Sequence, residues 1–269
     1  MFNKNKKEIL MNSDKNWEDI GVDIVQKEIL LITINRAKYK NALRTNTLKE
    51  ISQALEKNKD IKCTVITGGE EVFAAGADIN ELASKNSVDA LLDIRSTYWQ
   101  AIKEYKQPLI AAVNGFCLGG GCELALHCDI IIAGENAQFG QPEINLGIIP
   151  GAGGTQRLTK IVGKSNAMQM LLTGAFIDAP RALQMQLVSE IVPSCETITR
   201  ALKIATTITQ KSPLAIQNLK KVVLHSYEST LSSGLEYEKM VFSTLLSSED
   251  KQEGVTAFGE KRKPIFKGK

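Results

Sequence analysis

Scarcity narrows the field first. The chain holds only two histidines, His127 and His225, and no Gly-x-Ser-x-Gly elbow, which leaves a Ser-His-Asp hydrolase poorly supported. Aromatic residues make up 6% of the sequence, and Trp17 and Trp99 have few others near them, so no stacking platform for single-stranded nucleic acid is apparent. No apolar run approaches the ~18 residues of a membrane span. Neither sign of charge dominates: 33 basic residues face 30 acidic ones, for a net charge of +3. Charge alone therefore calls for neither a nucleic acid nor an acidic membrane surface. The five cysteines form an odd set, which reads as free thiols in a reducing compartment. Cys117, Cys122, Cys128 and His127 lack metal-site spacing, and no metal is expected. Residues 1–20 read as a ragged polar extension, with neither an apolar core for a secretory leader nor the Arg and Ser of a transit peptide. A cytoplasmic, soluble protein is the expectation.

What is present is ordinary in bulk and specific in detail. At 269 residues, with 43% hydrophobic and 23% charged, the chain can bury one large core or two modest ones. Val22–Gln26 and Ile29–Ile34 read as a hairpin. Leu48, Ile51 and Leu55 mark one face of a helix over Thr45–Asn58. Cys63–Thr67, Leu109–Val113 and Ile130–Ala133 are short apolar runs of the kind covered on both faces by helices. Asp89–Lys106 reads as one helix stopped before Pro108. Strands and helices alternate to about residue 195, the pattern of an α/β body. Beyond Pro193 four helices follow, the second opened by Ser212 as cap and Pro213 in the first turn.

Three glycine-marked segments carry the chemistry. The first, Val72–Ile79, contains Ala74-Ala75-Gly76-Ala77-Asp78, small enough for a ligand to reach the backbone. Gly76 can turn the next amide outward; a plain turn capped by Asp78 is the alternative. The second, Asn114–Leu124, holds Gly119-Gly120-Gly121 ahead of Glu123 in the first turn of an apolar helix. Such glycines suit free N–H groups facing developing negative charge, and Glu123 is either a helix cap or a buried carboxylate with a task. The third, Phe139–Leu158, places Glu143 behind Pro142 among apolar neighbours that raise its pKa by desolvation. Its glycines at 151–154 match neither the dinucleotide fingerprint nor a phosphate loop, and read as a turn before a helix starting at Thr155.

Taken in order, these segments resemble the crotonase, or enoyl-CoA hydratase/isomerase, family, over a span from about Val22 to the last residue. The closing strings Ala257–Lys263 and Phe266–Lys269 resemble that family's end as well. The resemblance implies an α/β crotonase fold: a spiral of ββα units in a core at 21–195, then a helical trimerisation region at 196–269. It implies trimers, usually paired as hexamers, and an acyl-CoA thioester as substrate. CoA enters as part of the substrate, and no separate cofactor is needed. It implies an oxyanion hole from the amides of Ala77 and Gly120, with Glu123 and Glu143 as catalytic acids. Water adds at C3 of a 2-trans-enoyl-CoA while C2 takes a proton, reversibly and with syn geometry. We expect Glu123 to activate the water, Glu143 to deliver the proton, and Gln141 to hold a carboxylate or that water.

Substrate contacts implied by the family map to Arg36, Lys38 and Tyr39, to Ala75, Gly76, Asp78 and Ile79, to Gly151, and to Lys261 from a neighbouring tail. Ala37 stands where the family usually has proline, which bears on the stiffness of that loop. Local strings such as Ile94–Trp99 and Ala133–Ala137 look most like hydratases of 2,3-dehydroadipyl-CoA in phenylacetate breakdown, with short-chain hydratases of fatty-acid oxidation close behind. Two alternatives stay open: a double-bond isomerase of the same fold, and an RNA-binding homologue using Lys49–Lys62, where Glu50, Glu56 and Asp60 interrupt the lysines.

Overall fold

The computed structural model describes residues 17–83 and 85–269. Most of the extension expected at 1–20 lies outside the described residues, but its last four belong to the body. Asp19 is buried and accepts hydrogen bonds from Arg44 and Thr47, and Ile20 opens the first strand.

In chain order the body begins with β1 (Ile20–Val25) and β2 (Ile29–Ile34), an antiparallel hairpin. Gln26 and Lys27, the central residues of a turn closed by the Glu28 N–H donating to Val25 O at 3.3 Å, both take positive φ. Next come α1 (Thr45–Lys57) and β3 (Cys63–Thr67), then α2 (Ile79–Ala83), α3 (Ser87–Leu91) and α4 (Arg95–Lys103). The helix expected as one piece over 89–106 is thus two. Asp93 breaks it: its carboxylate accepts the Arg95 N–H at 2.9 Å and starts a new helix in place of continuing the old one. After β4 (Leu109–Val113) and β5 (Phe116–Leu118) follow α5 (Gly120–His127), β6 (Ile130–Gly134) and β7 (Gln138–Gly140). The body closes with α6 (Gly154–Thr173), β8 (Ile177–Asp178), α7 (Ala179–Gln184) and β9 (Glu190–Val192).

The main sheet runs β1-β2-β3-β4-β6-β9, parallel from β2 onward, and β5-β7-β8 form a small second sheet. Parallel strands need covering on both faces, and that explains the unbroken apolar runs. Thr64 and Ile66 of β3 point one way, into a core with Leu48, Ile51 and Leu55 of α1; Cys63 and Val65 point the other way. That second face is covered by α8 (Thr197–Thr209), through Ala201 and Ala205. The helix beyond the 195/196 division therefore completes the layered body. The remaining helices α9 (Pro213–His225), α10 (Leu231–Leu245) and α11 (Glu249–Gly259) form the tail. Ser212 caps α9 by accepting from the Ala215 N–H, with Pro213 at its first position. Leu231, Phe242 and Phe258 of the tail stay exposed. Among the described residues no helix is long and apolar enough to cross a membrane.

Candidate active site

Loops at the C-terminal ends of β3 and β4 and the turn after β7 converge on one small space, the usual place for a site in an open parallel sheet. Its first wall is the 73–78 segment. Leu43 bridges Ala77 in parallel fashion: the Leu43 N–H donates to Gly76 O at 2.8 Å, and Leu43 O accepts from the Asp78 N–H at 3.0 Å. Bonding on both sides of Ala77 leaves the Ala77 N–H pointing away from Leu43. Gly76, at φ 123°, allows that turn.

The second wall is the glycine trio, and each glycine has its own reason. Gly119 takes φ 49°, and a Cβ there would lie 2.8 Å from Glu143 Oε1. A Cβ on Gly120 would sit 3.3 Å from the Ala77 nitrogen. On Gly121 it would meet Ala74 O at 2.2 Å, an overlap with backbone. Gly120 is also the first residue of α5, where amides have no partner within the helix. Among the described residues, neither the Ala77 nor the Gly120 amide donates a hydrogen bond within the chain. Two unsatisfied N–H groups flanking one space are equipped to take a partial negative charge.

Glu123 follows on the same helix, only 3% exposed. Its Oε1 accepts the Ala152 N–H at 2.6 Å and the Gly154 N–H at 2.8 Å. The glycines at 151–154, expected as a mere turn, thus form a cradle for this carboxylate. The helix that follows starts at Gly154, one residue before the expected Thr155, and directs its N-terminal end at Glu123. Burial raises the Glu123 pKa while the two amides pull it back. Nothing in the local sequence marks Ala152 and Gly154 as its partners, since the contact spans about thirty residues.

Glu143 sits on a short 3-10 turn, Pro142–Leu146, half-buried beside Gly119. With its amide oriented as the contacts require, the fully buried Gln141 donates to both Glu143 oxygens at 3.2 Å. Burial, with the nearby Glu123 charge, pushes the Glu143 pKa up to about 7, against its own backbone N–H, which lowers it. The expected pairing of Ala77, Gly120, Glu123 and Glu143 is therefore one place in space. His127, one turn after Glu123, holds Glu123 O through Nδ1 at 2.8 Å and stacks on Trp99 with centroids 5.1 Å apart. Burial, with Arg157 and Lys103 nearby, drives its pKa down to about 4, so it stays neutral as a satisfied wall residue.

The expected CoA contacts divide. Lys38, Tyr39 and Ile79 are exposed at the rim, and Ala75 is half-buried beside the buried Gly76. Arg36 and Asp78 are both buried, and Arg36 Nη2 pairs with Asp78 Oδ2 at 3.0 Å while Nε lies 3.4 Å from Asp19. Their charges are taken up by each other and by Asp19, so they stiffen the loop. Asn41 adds bonds to Gly68 O and Val72 O, which supplies the rigidity that proline at 37 would otherwise give. Gly151 is exposed with open space around it, next to the cradle amides. Lys261 follows α11 at the end of the tail, outside the site as formed by one chain.

Comparison with known proteins agrees with this geometry. The family model described as enoyl-CoA hydratase/isomerase matches residues 25–269. The chain is 48% identical to a 2,3-dehydroadipyl-CoA hydratase from Escherichia coli K12, over 91% of this chain and 97% of that one. It is 47% identical to a mitochondrial enoyl-CoA hydratase from Pongo abelii, over 88% and 83%. A crystal structure of an enoyl-CoA hydratase from Bacillus anthracis superposes with a TM-score of 0.89 at 36% identity, covering 94% of this chain and all 100% of that one.

Proposed function

Because the chain belongs to the enoyl-CoA hydratase/isomerase family and is similar throughout to enoyl-CoA hydratases, we propose that it adds water to 2-enoyl-CoA thioesters, with Glu123 and Glu143 acting on one water beside an amide pair. One observation carries the reading. Two carboxylates on separate elements, one buried and one half-buried, border the same space as the free amides of Ala77 and Gly120.

The thioester oxygen lies between those two amides. As water attacks C3, charge moves onto that oxygen, and the amides stabilise the enolate. Glu123 is the base. One of its oxygens is tied by two backbone N–H groups, which favour the ionised form and leave the other oxygen to take the water's proton. Glu143 is the acid. With a pKa pushed up to about 7, a large share of it still carries a proton at neutral pH, which it delivers to C2. In dehydration the roles reverse. Gln141 fixes the orientation of Glu143. The step as proposed moves only protons and water, and CoA arrives within the substrate.

Adding the protein to crotonyl-CoA is expected to remove the enoyl absorbance, with oxygen from heavy-oxygen water appearing in the product. Transfer of the double bond without that label would mean an isomerase. A carboxylated chain, as in the name of the E. coli relative, and a plain one both fall within the range of these relatives, so the assay includes both. Lys38 and Tyr39 at the rim are proposed to meet the nucleotide end of CoA. We also propose that the exposed apolar tail joins copies into trimers or hexamers, with Lys261 reaching a neighbour's site. Light scattering that finds only monomers overturns that part.

A further inference from the structure

Asn114 is a polar residue in apolar surroundings. It follows the strand β4 directly and is only 1% exposed. Both hydrogens and the oxygen of its side-chain amide are used: Nδ2 donates to Gly69 O and to Ser194 O, each at 3.2 Å, and Oδ1 accepts the Thr197 hydroxyl at 2.9 Å. Thr197, the first residue of α8, is itself fully buried. Gly134 makes room for the pair, since a Cβ there would lie 2.0 Å from Asn114 Oδ1 and 3.0 Å from Thr197 Oγ1. A buried polar network whose members are satisfied fixes one arrangement over its neighbours. Three pieces of chain are fixed at this point: the loop after β3, the end of β4 and the start of the helical region.

From here the two walls of the site run out side by side. The Asn114 carbonyl accepts the Phe73 N–H at 2.8 Å. Beyond it the Ala74 N–H donates to Phe116 O and the Leu118 N–H to Ala74 O, each at 3.0 Å. These bonds form a short parallel ladder centred on the bridge between Ala74 and Cys117. Ala77 and Gly120 lie three residues further along each wall, in step, and theirs are the free amides that flank the site. Their separation is inherited from the ladder, and the ladder starts at a residue pinned from behind by α8. A valine at 197 would fill the same space, so packing alone does not call for the hydroxyl. Aim does: about 1 Å of misplacement at a reacting centre can cost ~10²-fold in rate.

Resting on the hydratase reading, we infer that Asn114 and Thr197 are positioning residues, which hold the Ala77 and Gly120 amides at the separation that grips a thioester oxygen. Both are too deeply buried to meet the substrate themselves. Asn114 ties the two walls together at their root. Thr197 sets which way the Asn114 amide faces, because its hydroxyl donates to the oxygen and leaves the nitrogen for Gly69 and Ser194. The helical region thus takes part in the site of its own chain.

The test compares Thr197→Val, which keeps the shape and loses the hydroxyl, with Thr197→Ser, which keeps the hydroxyl. Thr197→Val is expected to lower kcat for crotonyl-CoA about tenfold, less than the loss of an amide donor itself, with KM within about twofold. Thr197→Ser stays within about threefold of the parent on both constants. Asn114→Ala is expected to lose about 10²-fold in kcat; should it fail to fold, the two Thr197 variants decide. A second readout is independent of turnover: infrared difference spectra of bound butyryl-CoA, which is saturated and cannot be hydrated, with carbon-13 at its thioester carbonyl. Binding to the unsubstituted protein should lower the carbonyl stretch, Thr197→Val should lose much of that shift, and Thr197→Ser should keep it. Unchanged kcat and an unchanged shift in Thr197→Val, with only the urea midpoint lowered, overturns the proposal, because the pair would then serve stability alone. So does a loss confined to KM, or the absence of any shift in the unsubstituted protein. A shifted carbonyl in an unsubstituted protein that leaves crotonyl-CoA unhydrated sinks the hydratase reading instead, and the series of shifts still decides the positioning role.

Discussion

Glu123 and Glu143 border one space, yet the chain holds them in different ways. Glu123 projects from a helix and is clamped by two main-chain amides at the start of another helix. Glu143 sits on a short turn, beside a glycine, and is held by one side-chain amide. Main-chain amides cannot rotate away or lose their hydrogens, so they offset part of the burial that raises the Glu123 pKa and favour its charged form. A half-buried turn, where burial and a charged neighbour outweigh the donors that reach it, favours a proton that comes and goes. Unequal settings let two chemically identical groups serve as base and acid.

Removing either group breaks the comparison most severely. Glu123→Gln and Glu143→Gln are each expected to slow crotonyl-CoA hydration by about 10²–10⁴, the usual range for a general acid or base. Full activity in Glu123→Gln would reduce that residue to a helix cap. Next comes the feature both groups share. Gly120→Ala places a methyl 3.3 Å from the Ala77 nitrogen and is expected to cost about 10²–10³ in kcat with the fold intact by circular dichroism. Gln141→Met sharpens the contrast, because only Glu143 depends on that amide; a loss of about tenfold is expected, with a shifted alkaline limb of the pH–rate profile.

The smallest effect is on stability. Burial raises the Glu143 pKa from 4.5 to about 7, so the folded protein binds a proton there that the unfolded chain has released. Across that window stability falls as pH rises, because the unfolded state binds fewer protons. Glu143→Gln has no proton to lose. Compared with the parent, it should gain about 1–2 kcal/mol between pH 5 and pH 8, a figure reduced for partial exposure. Urea denaturation at both pH values measures it, and equal differences would remove the raised pKa.

Much of this was legible because it is local. The strands at 63–67 and 109–113 appear where their apolar runs lie, since burial on both faces leaves a continuous signature. The glycine trio and the two glutamates stand out because such residues are costly without a task. What was illegible depends on distant partners. No residue near Glu123 announces that Ala152 and Gly154 hold it. The break at Asp93 needs Lys85 as well as Arg95. That Arg36 and Asp78 pair with each other is visible only once the fold brings them together. The 195/196 division followed a change in element type, whereas α8 covers the second face of the sheet.

The division of labour can be read directly with protein carrying carbon-13 at the glutamate carboxyls, the two signals assigned by their disappearance in Glu123→Gln and Glu143→Gln. In a titration from pH 4 to pH 9, the Glu143 carboxyl should change state near pH 7, and the assignment of Glu123 as base requires it to carry charge at neutral pH. A proton retained on Glu123 while Glu143 is ionised at neutral pH would contradict the assignment of base and acid.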